Sequence, residues 1–303
     1  MTNYPLTPEQ AALYGLARTT WRRRGNAKVR KLSFGEESIT ETILMDLAET
    51  FPGSLSIVPF SKPKEGKVGA DWAWLFRDKG GTHNLPMLVQ AKALDLSDFE
   101  YPEIKRHVGN MKTGRVKRPT RQIDLLIKTA QKLGWPAIYA FYNHLDDVSR
   151  IPDACSSLPA SDAFGLIPDS WGVSIADAYM VRAALDDQTF DTHRSHSKPL
   201  HCLLCSGGRG VRPPSGSPAL ALNSLENLSH RRRSVSTEDR QFRGAPVPRL
   251  FAEPPELFQR ALAITTELES SRRSEMVEEL RRENPRLAGA VVLQDANTTQ
   301  PER

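Results

Sequence analysis

Apolar positions recur along this chain first at helical spacing, then at strand spacing, then at helical spacing again. Thr7-Pro8-Glu9-Gln10 opens a helix, because Thr7 can cap it, Pro8 suits the first helical position and Gln10 closes a capping box. The helix is predicted to run from 8 to about 23, where a basic cluster begins. A second helix is predicted over 35–50, with Ile39, Ile43 and Leu47 on one stripe and Pro52-Gly53 as its stop. Three strand-like runs follow at 54–60, 70–76 and 87–94, separated by turn-rich segments. Such short spacing predicts an antiparallel meander. A helix over 119–133 places Ile123, Leu126, Ile127 and Ala130 on one face and ends at Gly134 as its C-cap. The aromatic run 137–142 predicts a buried strand, and 173–176 a last short one before a helix over 178–185. The order α, β, β, β, α, β, then β, α describes an α/β fold.

The rest of the chain sorts by composition. The reading divides it into an N-terminal helix with its basic cluster (1–31), a core domain (32–190), a His/Cys-rich segment (191–206), a flexible basic linker (207–250), a C-terminal helix (251–285) and a disordered tail (286–303). The C-terminal helix is read over 256–283 from Leu257, Ala261, Ile264 and Leu268 at helical spacing.

With 39% apolar and 25% charged residues among 303, the composition is that of a soluble globular protein, and it excludes a wholly disordered chain, a collagen-like repeat and a disulfide scaffold. Cysteine is sparse and odd in number (Cys155, Cys202 and Cys205), so a reducing cytoplasm is the expected compartment. No signal peptide opens the sequence and no run approaches the roughly 18 apolar residues a bilayer needs, so no membrane association is expected.

The net charge of +5 is unevenly spread. Thirteen positive charges and no acid occupy 21–31 and 105–121, and removing those thirteen from the net of +5 leaves −8. An acidic body with local basic patches is the distribution expected of a protein that binds a polyanion at one place. Lys105, Arg106, Lys112, Arg115, Lys117, Arg118 and Arg121 are the candidate phosphate contacts, giving salt-sensitive binding of weak sequence specificity.

The chemistry concentrates beside the second of these patches. Asp71 opens an otherwise apolar strand, and Gln90 and Lys92, two apart, share a face of the next one. If the two strands pair as a hairpin, a carboxylate, an amide oxygen and an ammonium come together. Asp71 and Gln90 are hard oxygen ligands of the kind Mg²⁺ prefers, with Mn²⁺ as a substitute, and Lys92 can orient or help deprotonate a water and offset phosphate charge. A second cluster, His193, His196, His201, Cys202 and Cys205, has two readings. His193, His196, Cys202 and Cys205 can supply four structural zinc ligands, or the segment packs as an ordinary buried strand.

The blocks Glu36-Glu37, Gly69-Ala70-Asp71, Gln90-Ala91-Lys92 and Gln122-Ile123-Asp124, with the element order α, β, β, β, α, β, resemble the PD-(D/E)xK restriction-endonuclease-like superfamily over roughly 33–145. They resemble more closely a bacterial family of unknown function within it, which has similar Glu-Glu, Gly-Ala-Asp-Trp, Gln-Ala-Lys and Gln-Ile-Asp-Leu-Leu-Ile blocks. The resemblance implies a restriction-endonuclease-like core, with Asp71 as metal-binding aspartate, Lys92 as catalytic lysine and Gln122 as a contact at the start of a helix facing the site. It favours Glu37 as the helix glutamate, although Glu36 lies on the Ile39 stripe. Gln90 stands where a second carboxylate is commonest, though glutamine occurs there in the Mrr-like branch. The implied activity is Mg²⁺-dependent endonucleolytic hydrolysis of phosphodiester bonds, with DNA favoured over RNA, a role in defence against foreign DNA, and a homodimer as candidate assembly. A neutral Gln90 weakens metal binding, which leaves a non-catalytic nucleic-acid-binding protein as the first alternative and an interaction scaffold with a structural zinc segment as the second.

Overall fold

The computed structural model describes residues 6–60, 70–108, 120–151, 168–205, 216–235, 245–285 and 287–295, with the backbone alone described for 229–235. The described residues run α1 (Pro8–Val29), α2 (Glu36–Thr50), β1 (Leu55–Pro59), β2 (Trp72–Arg77), β3 (Asn84–Ala93), β4 (His107–Val108), β5 (Thr120–Arg121), α3 (Gln122–Leu133), β6 (Ala137–Tyr142), β7 (Val173–Asp177), α4 (Ala178–Ala183), α5 (Phe190–Arg194), β8 (Ser197–Pro199), α6 (Gly216–Val235), α7 (Glu256–Thr266), α8 (Ser270–Glu283) and β9 (Gly289–Gln294). Seven strands form one mixed sheet in the order β1-β9-β2-β3-β6-β7-β8, while β4 and β5 make a separate two-stranded ribbon. The fold is α/β, a mixed sheet with helices on both faces. No helix among the described residues is long and apolar enough to cross a membrane.

Alternation along the central strand builds two core layers. Leu85, Met87, Val89 and Ala91 of β3 join a layer with Leu13 and Leu16 of α1, Ile39, Ile43 and Leu47 of α2, and Leu220, Leu225 and Leu228 of α6. Leu88, one step out of phase, joins the opposite layer with Ile123 and Leu126 of α3, Phe258 and Ile264 of α7, and Leu280 of α8. Gln90 and Lys92 share the parity of Leu88, so they point into that second layer.

Several expectations are corrected. The three early strands are not a meander. β2 and β3 do pair antiparallel, but β9 lies between β1 and β2, antiparallel to the first and parallel to the second. The segment expected as a disordered tail therefore supplies an internal strand. Ala290, Val291, Val292 and Leu293 are all buried, and each buried Val or Leu side chain contributes about 1.5–3 kcal/mol. The expected flexible linker holds α6 over 216–235, which buries Leu220, Ala221, Leu225 and Leu228. The single C-terminal helix is two, α7 and α8, and the break at 267–269 leaves Leu268 at 93% exposure, off the stripe it seemed to extend.

Helix α1 starts as expected, with the Thr7 hydroxyl accepting from the Gln10 N–H, but continues to Val29. Its basic second half is half core. Trp21 and Arg24 are buried, and Gly25 admits the His144 ring, where a Cβ would stand 2.5 Å from His144 Cε1. Helix α3 ends at Gly134, whose φ of 70° is the left-handed C-cap that glycine provides without a Cβ clash.

Candidate active site

The β2–β3 hairpin brings the predicted residues together. Its register pairs Trp72 with Val89, so Asp71, one residue before β2, lies beside Gln90. The Asp71 N–H donates to the Val89 carbonyl at 3.0 Å. Asp71 Oδ2 accepts from Gln90 Nε2 at 2.6 Å and from the Ala91 N–H at 2.8 Å. These two donors fix the carboxylate on the face that Gln90 and Lys92 share.

Lys92 is 1% exposed, and its Nζ stands 3.3 Å from Glu36 Oε1 and 3.4 Å from Oε2. An ammonium is buried only when it is paired, and Glu36 is the pair. This corrects the choice of Glu37, which is exposed at the surface of α2. The signal was present in the sequence: Glu36 is three residues before Ile39 and so shares the buried stripe that turns α2 toward the sheet.

A further member escaped the sequence reading. β3 and β6 pair in parallel with Gln90 opposite Tyr139, so Tyr139 points from the neighbouring strand into the same layer. Tyr139 and Gln90 are both fully buried, and among the described residues neither the Tyr139 hydroxyl nor Gln90 Oε1 has a hydrogen-bond partner. Two orphaned polar oxygens side by side are uncommon in a folded interior, where such groups are nearly always satisfied. Only the parity of Tyr139 within 137–142, matched to that of Gln90 by the β3–β6 register, could have found it.

The electrostatics agree. Burial pushes the Glu36 carboxyl up to about 7; the Lys92 ammonium opposes this and the Asp71 charge adds to it. Burial likewise raises Asp71, opposed by Lys92, by the Ala91 and Gln90 hydrogen bonds and by Arg106. The Tyr139 phenol is raised well above its ordinary value by burial and then by Asp71 and Glu36. Two carboxylates facing one ammonium in a dry site are under-compensated, and a cation would relieve them.

The candidate phosphate contacts divide. Arg106 is exposed and its charge reaches Asp71, which puts it at the site's edge. Gln122 begins α3, is buried, and its N–H donates to the Arg106 carbonyl at 2.9 Å. Arg121 pairs with His107 across the β4–β5 ribbon. Lys105 Nζ donates to the Asp186 carbonyl at 2.9 Å, so it is engaged within the fold. Lys112, Arg115, Lys117 and Arg118 lie outside the described residues.

The His/Cys segment is core. His193 Nδ1 is 3.1 Å from His196 Nε2, while Cys205 Sγ accepts from Gln10 Nε2 at 3.2 Å and the Ser224 hydroxyl donates to the Cys202 carbonyl at 2.7 Å. Burial and the neighbouring His196 hold His193 down at about 3, so it is neutral at physiological pH. Among the described residues no group of three or more His, Cys, Asp or Glu side chains is spaced to hold a metal ion. The two histidines and two cysteines therefore do not assemble as the four zinc ligands the spacing suggested. The site of Glu36, Asp71 and Gln90 has two acids and completes its oxygen set with an amide.

No curated protein and no solved structure matches the chain. One family model matches nearly its whole length, residues 9–299, and the chain belongs to that family of unknown function, DUF6615.

Proposed function

We propose that the chain is a divalent-metal-dependent nuclease that hydrolyses phosphodiester bonds at Glu36, Asp71, Gln90 and Lys92, with DNA as the favoured substrate. The carrying observation is that a buried ammonium, two carboxylates with raised pKa and a buried amide oxygen without a partner stand together at the strand ends. The resemblance of the Gly-Ala-Asp, Gln-Ala-Lys and Glu-Glu blocks to PD-(D/E)xK nucleases supports the same reading.

The residues fit a hard divalent cation. Asp71 spends Oδ2 on two hydrogen bonds, and the orphaned Gln90 Oε1 supplies the neutral oxygen that an amide offers Mg²⁺ or Mn²⁺. Such an ion supplies Lewis-acid polarisation of a phosphate oxygen and a lowered pKa for water. The chain's own groups do the rest. Lys92, held by Glu36, carries positive charge to where a phosphate gathers negative charge. Glu36, ionising near 7, can accept a proton at a carboxylate oxygen from an attacking water at neutral pH. Arg106 and Gln122 border the site as contacts for the flanking backbone.

A second reading, a nucleic-acid-binding protein without catalysis, is favoured by the neutral Gln90 and by the Lys92–Glu36 ion pair. The same experiment separates them. Wild type, Asp71→Ala and Lys92→Ala are incubated with plasmid, linear duplex, single-stranded DNA and RNA in Mg²⁺, Mn²⁺ or EDTA. Metal-dependent cleavage lost in both variants supports the nuclease; binding without cleavage of any substrate supports the second reading and overturns the first.

A further inference from the structure

The basic window at 21–31 has no part in the site just described, yet two of its cations, Arg24 and Lys28, face a cavity. The cavity holds about 460 Å³ and lies between the end of α1, the 33–35 turn and the chain leaving β3. Its wall includes Gly35, the residue before Glu36, and Ala93, the residue after Lys92. It therefore adjoins Glu36 through Gly35, at the start of α2, while Ala93, one step out of phase with Lys92, lines it from the other face of β3.

Arg24 and Lys28, one helical turn apart, line it from α1. Arg24 is 4% exposed. One guanidinium nitrogen donates to the Leu94 carbonyl, while its Nε has no hydrogen-bond partner among the described residues. A buried guanidinium with an unmade bond is costly unless something completes it. Lys28 is held at the surface by Asp146, an exposed pairing of small net worth that a ligand can displace. Asp95 is the one carboxylate on the wall; it accepts from the Ser97 N–H and hydroxyl at 2.8 and 2.6 Å, and its charge also reaches Arg24 and offsets part of that cation. Phe34 and Leu32 add an apolar, partly aromatic surface. The volume lies within the range of about 300–1,000 Å³ typical of small-ligand sites. It offers two cations at one wall and an apolar surface at another.

We propose that this cavity is a nucleotide subsite, in which one unstacked nucleotide of the substrate strand seats its phosphate on Arg24 and Lys28 and its base against Phe34. The assignment rests on the phosphodiester reading of the adjoining site, and it specifies the substrate as a strand whose nucleotide beside the cleaved bond is unpaired. The phosphate would give Arg24 the acceptor it lacks. Aromatic stacking of a base is sequence-tolerant, so the subsite would select an unpaired nucleotide rather than a particular base.

The test needs neither metal nor cleavage. Deoxyadenosine 5′-monophosphate, deoxyadenosine and inorganic phosphate are titrated against the full chain in EDTA, read by phosphorus and proton line broadening. Wild type is compared with Lys28→Ala and with Ala27→Trp, which fills the cavity from the surface of α1; thermal melts confirm that both variants fold. The subsite predicts saturable binding of the nucleotide, at least about fivefold weaker in Lys28→Ala and lost in Ala27→Trp, roughly 1 kcal/mol or more for the lysine. Absence of nucleotide binding at about 10 mM, equal binding by folded Ala27→Trp, or deoxyadenosine binding as tightly as the nucleotide overturns it. Nucleotide binding lost in Ala27→Trp, in a chain that cleaves nothing, keeps the subsite and removes the nuclease; cleavage with no such binding does the reverse.

Discussion

Replacing Glu36 by glutamine separates the cost of its charge from its use. Glu36 ionises near 7 in the folded chain against an ordinary value of 4.5, and its side chain is 27% exposed. Between those values the folded chain binds a proton that the unfolded chain has lost. Stability therefore falls as pH rises from 4.5 to 7, by at most about 1.4 kcal/mol per pH unit, and is level beyond. The difference between 4.5 and 7 corresponds to at most about 3 kcal/mol. Glutamine keeps the shape and never ionises. Glu36→Gln should gain on wild type by up to about 3 kcal/mol between pH 4.5 and pH 8 in urea denaturation without metal, set against a pH-independent cost of leaving Lys92 without its carboxylate. With Mg²⁺ present wild type should instead gain on the variant as pH rises, because only wild type has the carboxylate that a cation favours. A difference independent of pH would refute the under-compensated site.

Further outcomes follow from the same geometry. Tyr139→Phe removes a buried hydroxyl without a partner among the described residues, so the metal-free protein should gain about 1–2 kcal/mol and melt about 2–3 °C higher by calorimetry; a lower melting temperature counts against the orphaned oxygen. Manganese affinity, followed by electron paramagnetic resonance, should rise up to about tenfold per pH unit below 7 and level off above it, as the ion displaces the Glu36 proton; a flat profile would remove Glu36 from the ligand environment. A chain ending at residue 285 lacks β9, which separates β1 from β2, and should lose cooperative unfolding by circular dichroism; a native-like melt would contradict the sheet order.

Local signals carried much of this molecule. The Thr7 N-cap, the glycine C-cap at Gly134, the apolar stripe of α2 and the parity of Gln90 and Lys92 each follow from spacing a few residues long, and each appears in the structure; the Gln10 side chain, expected to close a capping box, donates to Cys205 instead. What failed depends on contacts distant in sequence. Strand β9 is a short apolar run, Ala290 to Leu293, that reads as a tail until β1 and β2 are seen to need a partner between them. Helix α6 sits where Gly, Pro and Ser dilute its flanks, so composition hid its Leu220, Leu225 and Leu228 stripe. In the site, Asp71, Gln90 and Lys92 were legible because strand alternation and a hairpin suffice to assemble them. Tyr139 was not, since it depends on a parallel register across α3, while Glu36 was legible only as the one of two adjacent glutamates that shares the Ile39 stripe. Of the two readings of the His/Cys cluster, the described residues show the packed one, in which His193 meets His196 and Cys205 accepts from Gln10.

The most direct test of the site is plasmid relaxation in Mg²⁺ by Glu36→Gln against Glu37→Gln, adjacent residues of the same type, one against Lys92 and one at the surface. Wild type and Glu37→Gln should nick the plasmid at comparable rates, and Glu36→Gln should be slower by about 10²–10³, the usual cost of losing a group at the reacting centre. Equal rates for the two variants, or a wild type that leaves the plasmid intact with Mg²⁺ and Mn²⁺ alike, would contradict this.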